Sequence, residues 1–193
     1  NRKTAAEIKG EKGEALVTDI LKEEKVKYFT DVLLRLGPVT NQIDHLVVFP
    51  NKKVVVIETK NKDGKFYGGL NDKKWTQYFS SNKKYQFYNP VLQNHRHIKF
   101  LKRFCKKHSI RGIQFYNVVV FASDKCDIKN TPENTFHYTE LPMILEQFKV
   151  KKFWNGSRKF SRLVALNDLS KNKKELEKHK RFVKRAAAFN RKK

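Results

Sequence analysis

The sequence predicts an α/β protein: a mixed central sheet flanked by helices, followed by a basic C-terminal extension. Three observations lead there. Two β-branched runs, 41–50 and 54–60, are separated only by Asn51-Lys52-Lys53 and read as a hairpin. Val118-Val119-Val120-Phe121 lies at the centre of a third run, 113–122, with the composition of a buried strand. Helical periodicity precedes the hairpin and separates it from that third run. The core order is therefore α, β, β, β, α, β, with small insertions after the third strand.

Each element has a local reason. Thr4-Ala5-Ala6-Glu7 is a capping-box pattern, and Leu16, Val17, Ile20 and Leu21 recur at helical spacing. Gly10 and Gly13 interrupt this region, so the firm helix is placed at 11–24. Residues 26–36, dense in Tyr28, Phe29, Val32, Leu33 and Leu34, form a strand that Gly37-Pro38 ends. After the hairpin, Lys62-Asp63-Gly64-Lys65 is a turn, and 66–67 and 75–79 are further short strands. Asn89-Pro90 reads as an N-cap with proline at the first helical position, opening a helix to about Lys107. An edge strand at 136–138 and a closing helix at 141–148 complete a first domain, 1–148. In the extension, 149–193, Asn155-Gly156 marks a turn between 151–154 and 157–160, a candidate hairpin. Residues 168–189 read as a basic helix in which Leu176, Val183 and Ala187 form a thin apolar stripe.

Composition bounds the function. The 193 residues carry a formal charge of +24, which calls for a polyanionic partner. The last quarter, 149–193, holds 17 Lys and Arg against 3 Asp and Glu. That concentration suits an arm contacting nucleic acid, the bland alternative being a solvated tail that aids solubility. Lys62 and Lys65 on the turn, and Lys180, Arg181, Lys184 and Arg185 on the tail helix, are the candidate phosphate contacts. Cys105 and Cys126 have no metal-ligand spacing, so a cysteine zinc site is excluded and reduced thiols in a cytoplasmic setting are expected. No apolar run reaches the roughly 18 residues that span a bilayer. The sequence opens at Asn1 rather than methionine, so the cytoplasmic expectation leaves room for an upstream anchor.

The hairpin carries the chemistry. If its loop is 50–52, Phe49 faces Lys53, and counting outward sets Asp44 opposite Glu58; a two-residue loop shifts this by one. Like charges directly opposed destabilise a sheet, and a hard divalent cation bridging them would offset the repulsion. Lys60 points to the same face as Glu58 by alternation. The competing reading is a structural ion network. Glu14 falls on the apolar stripe of the first helix, where a carboxylate needs a partner; a first-turn acid favouring the helix dipole is the alternative. Gln93 shares a helix face with Phe100 and Phe104 and is better explained by a polar target than by packing. His97, four residues on, could reach the same pocket or be a partly buried helix residue; the latter reading is preferred for it and for His95, and His45 is read as a hydrogen-bonded structural histidine facing away from Asp44.

Together, Gly10-Glu-Lys-Gly13-Glu14, Gln42-Ile-Asp-His45, Ile57-Glu-Thr-Lys-Asn61 followed by Gly64, Trp75, and Asn89-Pro-Val-Leu-Gln-Asn-His95 resemble the nuclease-related domain (NERD) family, a branch of the PD-(D/E)xK nuclease superfamily. The match covers about residues 10–148; Ile43 rather than proline precedes Asp44, as is usual in this branch. The resemblance implies Asp44 and Glu58 as ligands of Mg2+ or Mn2+ and Lys60 as the residue positioning water or the scissile phosphate. It also implies Glu14 and Gln93 as supporting residues. A metal-dependent nuclease, with DNA favoured over RNA, is expected. The alternatives are a non-catalytic nucleic-acid-binding module keeping the same fold and a membrane-surface regulator, the latter disfavoured by the thin apolar stripe.

Overall fold

The computed structural model describes residues 3–79, 83–150 and 156–191. Helix α1 (Ala5–Glu23) leads into the meander β1 (Lys27–Leu36), β2 (Val39–Val48) and β3 (Lys53–Lys60). Short strands β4 (Gly64–Tyr67), β5 (Lys74–Tyr78) and β6 (Lys84–Tyr88) follow, then α2 (Pro90–Lys107) and β7 (Gln114–Phe121). The chain continues through β8 (Cys126–Asn130), β9 (Thr135–His137), α3 (Leu141–Glu146), α4 (Arg158–Asn167) and α5 (Lys173–Arg191). Among the described residues the strands form two sheets, β1-β2-β3-β7-β9 and β6-β5-β4-β8. The α, β, β, β, α, β order expected from the sequence is the one observed, on a mixed sheet: β1–β3 are antiparallel, while β3–β7 and β7–β9 are parallel.

Alternation along β3 shows how the sheet is covered. Val54 and Val56 join Ile98, Leu101 and Phe104 of α2 in one buried cluster, whereas Val55 and Ile57 join Val17 and Leu21 of α1 and Leu145 of α3 in another. Both faces are dry, which is why this strand reads as an unbroken apolar run. A third cluster, Phe66, Trp75, Val91, Val119 and Phe121, seats the second sheet against the first.

Several expectations are corrected. The first helix runs unbroken through Gly10 and Gly13 from a Thr4 capping box, because the cap holds its first turn. Strands β6 and β8 were not expected. Residues 157–160 do not form a strand: Ser157 precedes helix α4, whose Phe160 and Val164 enter the α2-side cluster. Those residues are four apart, so one helical face delivers both. The other half of that candidate hairpin, 151–154, lies outside the described residues. Both cysteines are free thiols. Among the described residues no helix is long and apolar enough to cross a membrane.

Candidate active site

The hairpin register decides where the charged residues meet. Phe49 N donates to Lys53 O at 2.9 Å, and pairing runs from Val48↔Val54 to His45↔Ile57. The next position in that register faces Asp44 with Glu58, but the ladder stops one step short. Instead Asp44 Oδ2 accepts the backbone N–H of Thr59 at 2.8 Å. On the other side of β2 the β1 ladder skips the same residue, and Asp31, which would face it, takes a left-handed φ of +51°. The sheet is thus irregular on both sides of Asp44, as strained backbone at functional sites often is.

Glu58 and Lys60 continue the face of Val54 and Val56, so both point toward α2. Glu58 is 2% exposed. Lys60 Nζ donates to Glu58 Oε1 at 2.5 Å and to Gln93 Oε1 at 3.2 Å. The second carboxylate oxygen, Glu58 Oε2, makes no hydrogen bond and lies 3.3 Å from His97 Nε2. His97 is held in turn by a 2.7 Å contact between its Nδ1 and Asn41 Oδ1. Helix α2 is fixed over the sheet by two asparagines. Asn89 caps it through Val91 N and Leu92 N, and the Asn94 amide nitrogen lies 2.7 Å from Val56 O and 3.1 Å from Val118 O. The first of these contacts needs a residue that prefers the N-cap, and proline follows it where no N–H is required.

Glu14 arrives from the other side of the sheet. A Cβ on Gly13 would lie 2.6 Å from Asn61 Cβ and 3.2 Å from Ala122 Cβ, so only glycine lets α1 approach this end of β3. Asn61 Nδ2 donates to Lys9 O at 2.8 Å and holds the approach. Burial, together with the charges of Asp31 and Glu58, raises the Glu14 carboxyl to about 7.

Electrostatics divide the carboxyls. Burial and the neighbouring Glu58 charge hold Asp44 well above the usual carboxylate range. Burial opposes ionisation of Glu58 too, but Lys60 and His97 more than offset it and hold that carboxyl low. Burial likewise works against the Lys60 ammonium, and Glu58 and Asp44 outweigh it, so the lysine stays charged. Around the open end of β3, then, the Glu58 carboxyl is held low, those of Asp44 and Glu14 are held high, and the lysine keeps its charge.

The nuclease-related domain model matches residues 9–122, more than half of the chain, and takes in Glu14, Asp44, Glu58, Lys60, Gln93 and His97. The chain belongs to the nuclease-related domain family. Its αβ core is that of the PD-(D/E)xK-like nuclease superfamily, to which this family belongs. An uncharacterized protein of Bacillus anthracis is 30% identical over 157 residues, covering 76% of this chain and 70% of the relative. No solved structure matches.

Of the residues singled out in the sequence, Asp44, Glu58, Lys60 and Gln93 converge at the open end of β3, with Glu14 close enough for its charge to act on theirs. His45 is buried on the α1 side, its Nε2 2.9 Å from Thr18 Oγ1, and burial lowers it to about 4. His97, for which the sequence favours a plain helix residue over a place in the Gln93 pocket, lies against Glu58, so its spacing of four from Gln93 is the signal that counts. The phosphate-contact candidates separate into two places. Lys62 lies 5.2 Å from the Phe87 ring centre, and Lys65 is exposed on β4. On α5, Lys180, Arg181, Lys184 and Arg185 are exposed, with Lys184 Nζ 3.8 Å from Glu7 Oε1 and Arg181 3.7 Å from Glu177.

Proposed function

We propose that this chain hydrolyses nucleic-acid phosphodiester bonds with a bound divalent metal, DNA being favoured. The observation that carries the reading is geometric: the β2–β3 register brings Asp44 level with Glu58, and Lys60 Nζ lies 2.5 Å from Glu58 Oε1 and 3.2 Å from Gln93 Oε1. Among the described residues no three Asp, Glu, His or Cys side chains converge to hold a metal by themselves. That disfavours a zinc centre, which draws three or four ligands from the protein. It fits magnesium or manganese, held by one or two carboxylates with water and substrate phosphate completing the shell. Asp44 and Glu58 would hold the ion; the unbonded Glu58 Oε2 and the second oxygen of the partly buried Asp44, whose Oδ2 accepts the Thr59 N–H, are the atoms that would do so. When bound, the ion lowers the pKa of water and neutralises charge on the phosphate.

The remaining steps belong to the chain. Lys60 is locked by Glu58 and Gln93, so its charge is preorganised toward a phosphate oxygen rather than found by search. Glu14 would support the site from α1, where burial raises its carboxyl to about 7. The experiment is cleavage of labelled single-stranded, duplex and circular DNA and RNA, with magnesium or manganese and with chelator. Metal-dependent cleavage that Lys60→Ala reduces on the order of 10²-fold or more, with binding changed only a few-fold, is the expected result. Binding without metal-dependent cleavage of any substrate would replace this reading with the binding module.

A further inference from the structure

The second sheet carries an outer face that hydrolysis does not require. Phe66, Trp75, Gln77 and Phe87 turn inward, so alternation sends their neighbours outward. The register aligns these as Lys65↔Tyr78 and Tyr67↔Thr76 across β4–β5, and as Lys74↔Tyr88, Thr76↔Gln86 and Tyr78↔Lys84 across β5–β6. Lysine and tyrosine therefore meet directly across the strands, Tyr78 between Lys65 and Lys84 and Tyr88 beside Lys74, with Thr76 and Gln86 between these rows. Tyr67 and Tyr78 are 40% and 39% exposed, with ring centres 5.2 Å apart in an edge-to-face pair. Lys65, Lys74 and Lys84 are exposed as well. Asp127 pairs with Lys65 on β8 and bounds the basic area on that side. At the opposite edge the Arg96 guanidinium lies 4.7 Å from the Tyr88 ring centre, and Arg96 precedes His97 on α2.

We propose that this face binds single-stranded nucleic acid, bases stacking on Tyr67 and Tyr78 while Lys65, Lys74 and Lys84 meet phosphates. A sequence-tolerant strand needs both parts, since every base offers a π-face and every link a charge. A duplex hides its base faces and gains only from the lysines. The inference selects a substrate class for the proposed hydrolytic site and rests on that reading for cleavage, but binding is tested without cleavage.

The chain is titrated in chelator with labelled oligothymidylate of about 20 nucleotides, its uridylate counterpart, a duplex and an abasic strand of equal length. Base-bearing strands should bind about tenfold or more tighter than the abasic strand. Tyr78→Ala should weaken oligothymidylate binding about tenfold and leave abasic binding unchanged, while Tyr78→Phe retains the wild-type value. Photocrosslinking of a 5-iodouracil strand to the wild-type protein needs no variant and should label residues 65–88. Equal affinity for base-bearing and abasic strands, or crosslinks confined to α5, would overturn the proposal even if the enzyme cleaves. Base-dependent binding by a chain that cleaves nothing would keep the platform and remove the hydrolytic reading. The thymidylate and uridylate arms assign DNA or RNA.

Discussion

Helices α2 and α5 are nearly equal in length, 18 and 19 residues, and both are rich in lysine and arginine, yet they are held in opposite ways. Helix α2 buries Val91, Ile98, Phe100, Leu101 and Phe104 and projects Gln93 and His97 into the site. Helix α5 leaves Phe182 65% and Val183 49% exposed. Its described anchors are polar: buried His179, whose Nδ1 lies 2.8 Å from Thr40 Oγ1, and Glu175, paired with Arg35. Both anchors meet the end of the β1–β2 hairpin, where Arg35 pairs with Thr40, and Asn41, next to Thr40, is the residue that holds His97. Apolar docking makes a helix part of the fold, whereas polar docking ties its position to solution conditions. The helix that carries site residues is of the first kind.

The largest effect should come from α2. Phe104 is fully buried and stacks on Phe100 with ring centres 6.2 Å apart. Phe104→Ala should cost about 3–5 kcal/mol in denaturant unfolding, through lost burial and the cavity left behind. A cost below about 1 kcal/mol would show that α2 is held no more firmly than α5.

An intermediate effect concerns pH. Burial, followed by the charge of His97, lowers His179 below the usual histidine range. A depressed folded pKa means that stability is present above the unfolded value of about 6.5 and is lost as pH falls toward the folded one. Acidification from pH 7.5 to 5 should therefore loosen α5 while α2 stays protected, read by amide hydrogen exchange after correction for intrinsic rates. His179→Ala should remove this difference and cost about 1 kcal/mol at neutral pH. Equal loosening of both helices would break the contrast.

The smallest effect should come from the exposed side of α5. Phe182→Ser and Val183→Thr should each change stability by no more than about 0.5 kcal/mol. A cost above about 1 kcal/mol for either would mean that the stripe is buried in solution, making α5 a second apolar helix.

The same contrast explains what was legible in the sequence. Asn89-Pro90 and the apolar spacing of α2 are local signals, and so are the Thr4 cap and the β-branched hairpin. Strands β6 and β8 lack them. Lys84–Tyr88 and Cys126–Asn130 hold no long β-branched run and become strands by pairing with β5 and β4. The Asn155-Gly156 turn signal suggested a hairpin, but Phe160 and Val164 fill the core only from one helical face. In the site, Asp44, Glu58 and Lys60 followed from register and alternation. His97 did not, because its contact with Glu58 depends on where α2 lies over β3, which Asn94 sets through bonds 38 and 24 residues away in sequence. The approach of Glu14 likewise turns on Gly13 meeting Asn61 and Ala122, a contact between distant segments.

The central claim is that Asp44 and Glu58 form one divalent-cation site, and manganese calorimetry tests it most directly. Wild-type protein should bind a single ion, and Asp44→Asn, which keeps an oxygen to accept the Thr59 N–H but removes the charge, should abolish that binding while the fold stays intact by circular dichroism. Equal manganese binding by wild type and Asp44→Asn, or no binding by the folded wild type, would contradict the account.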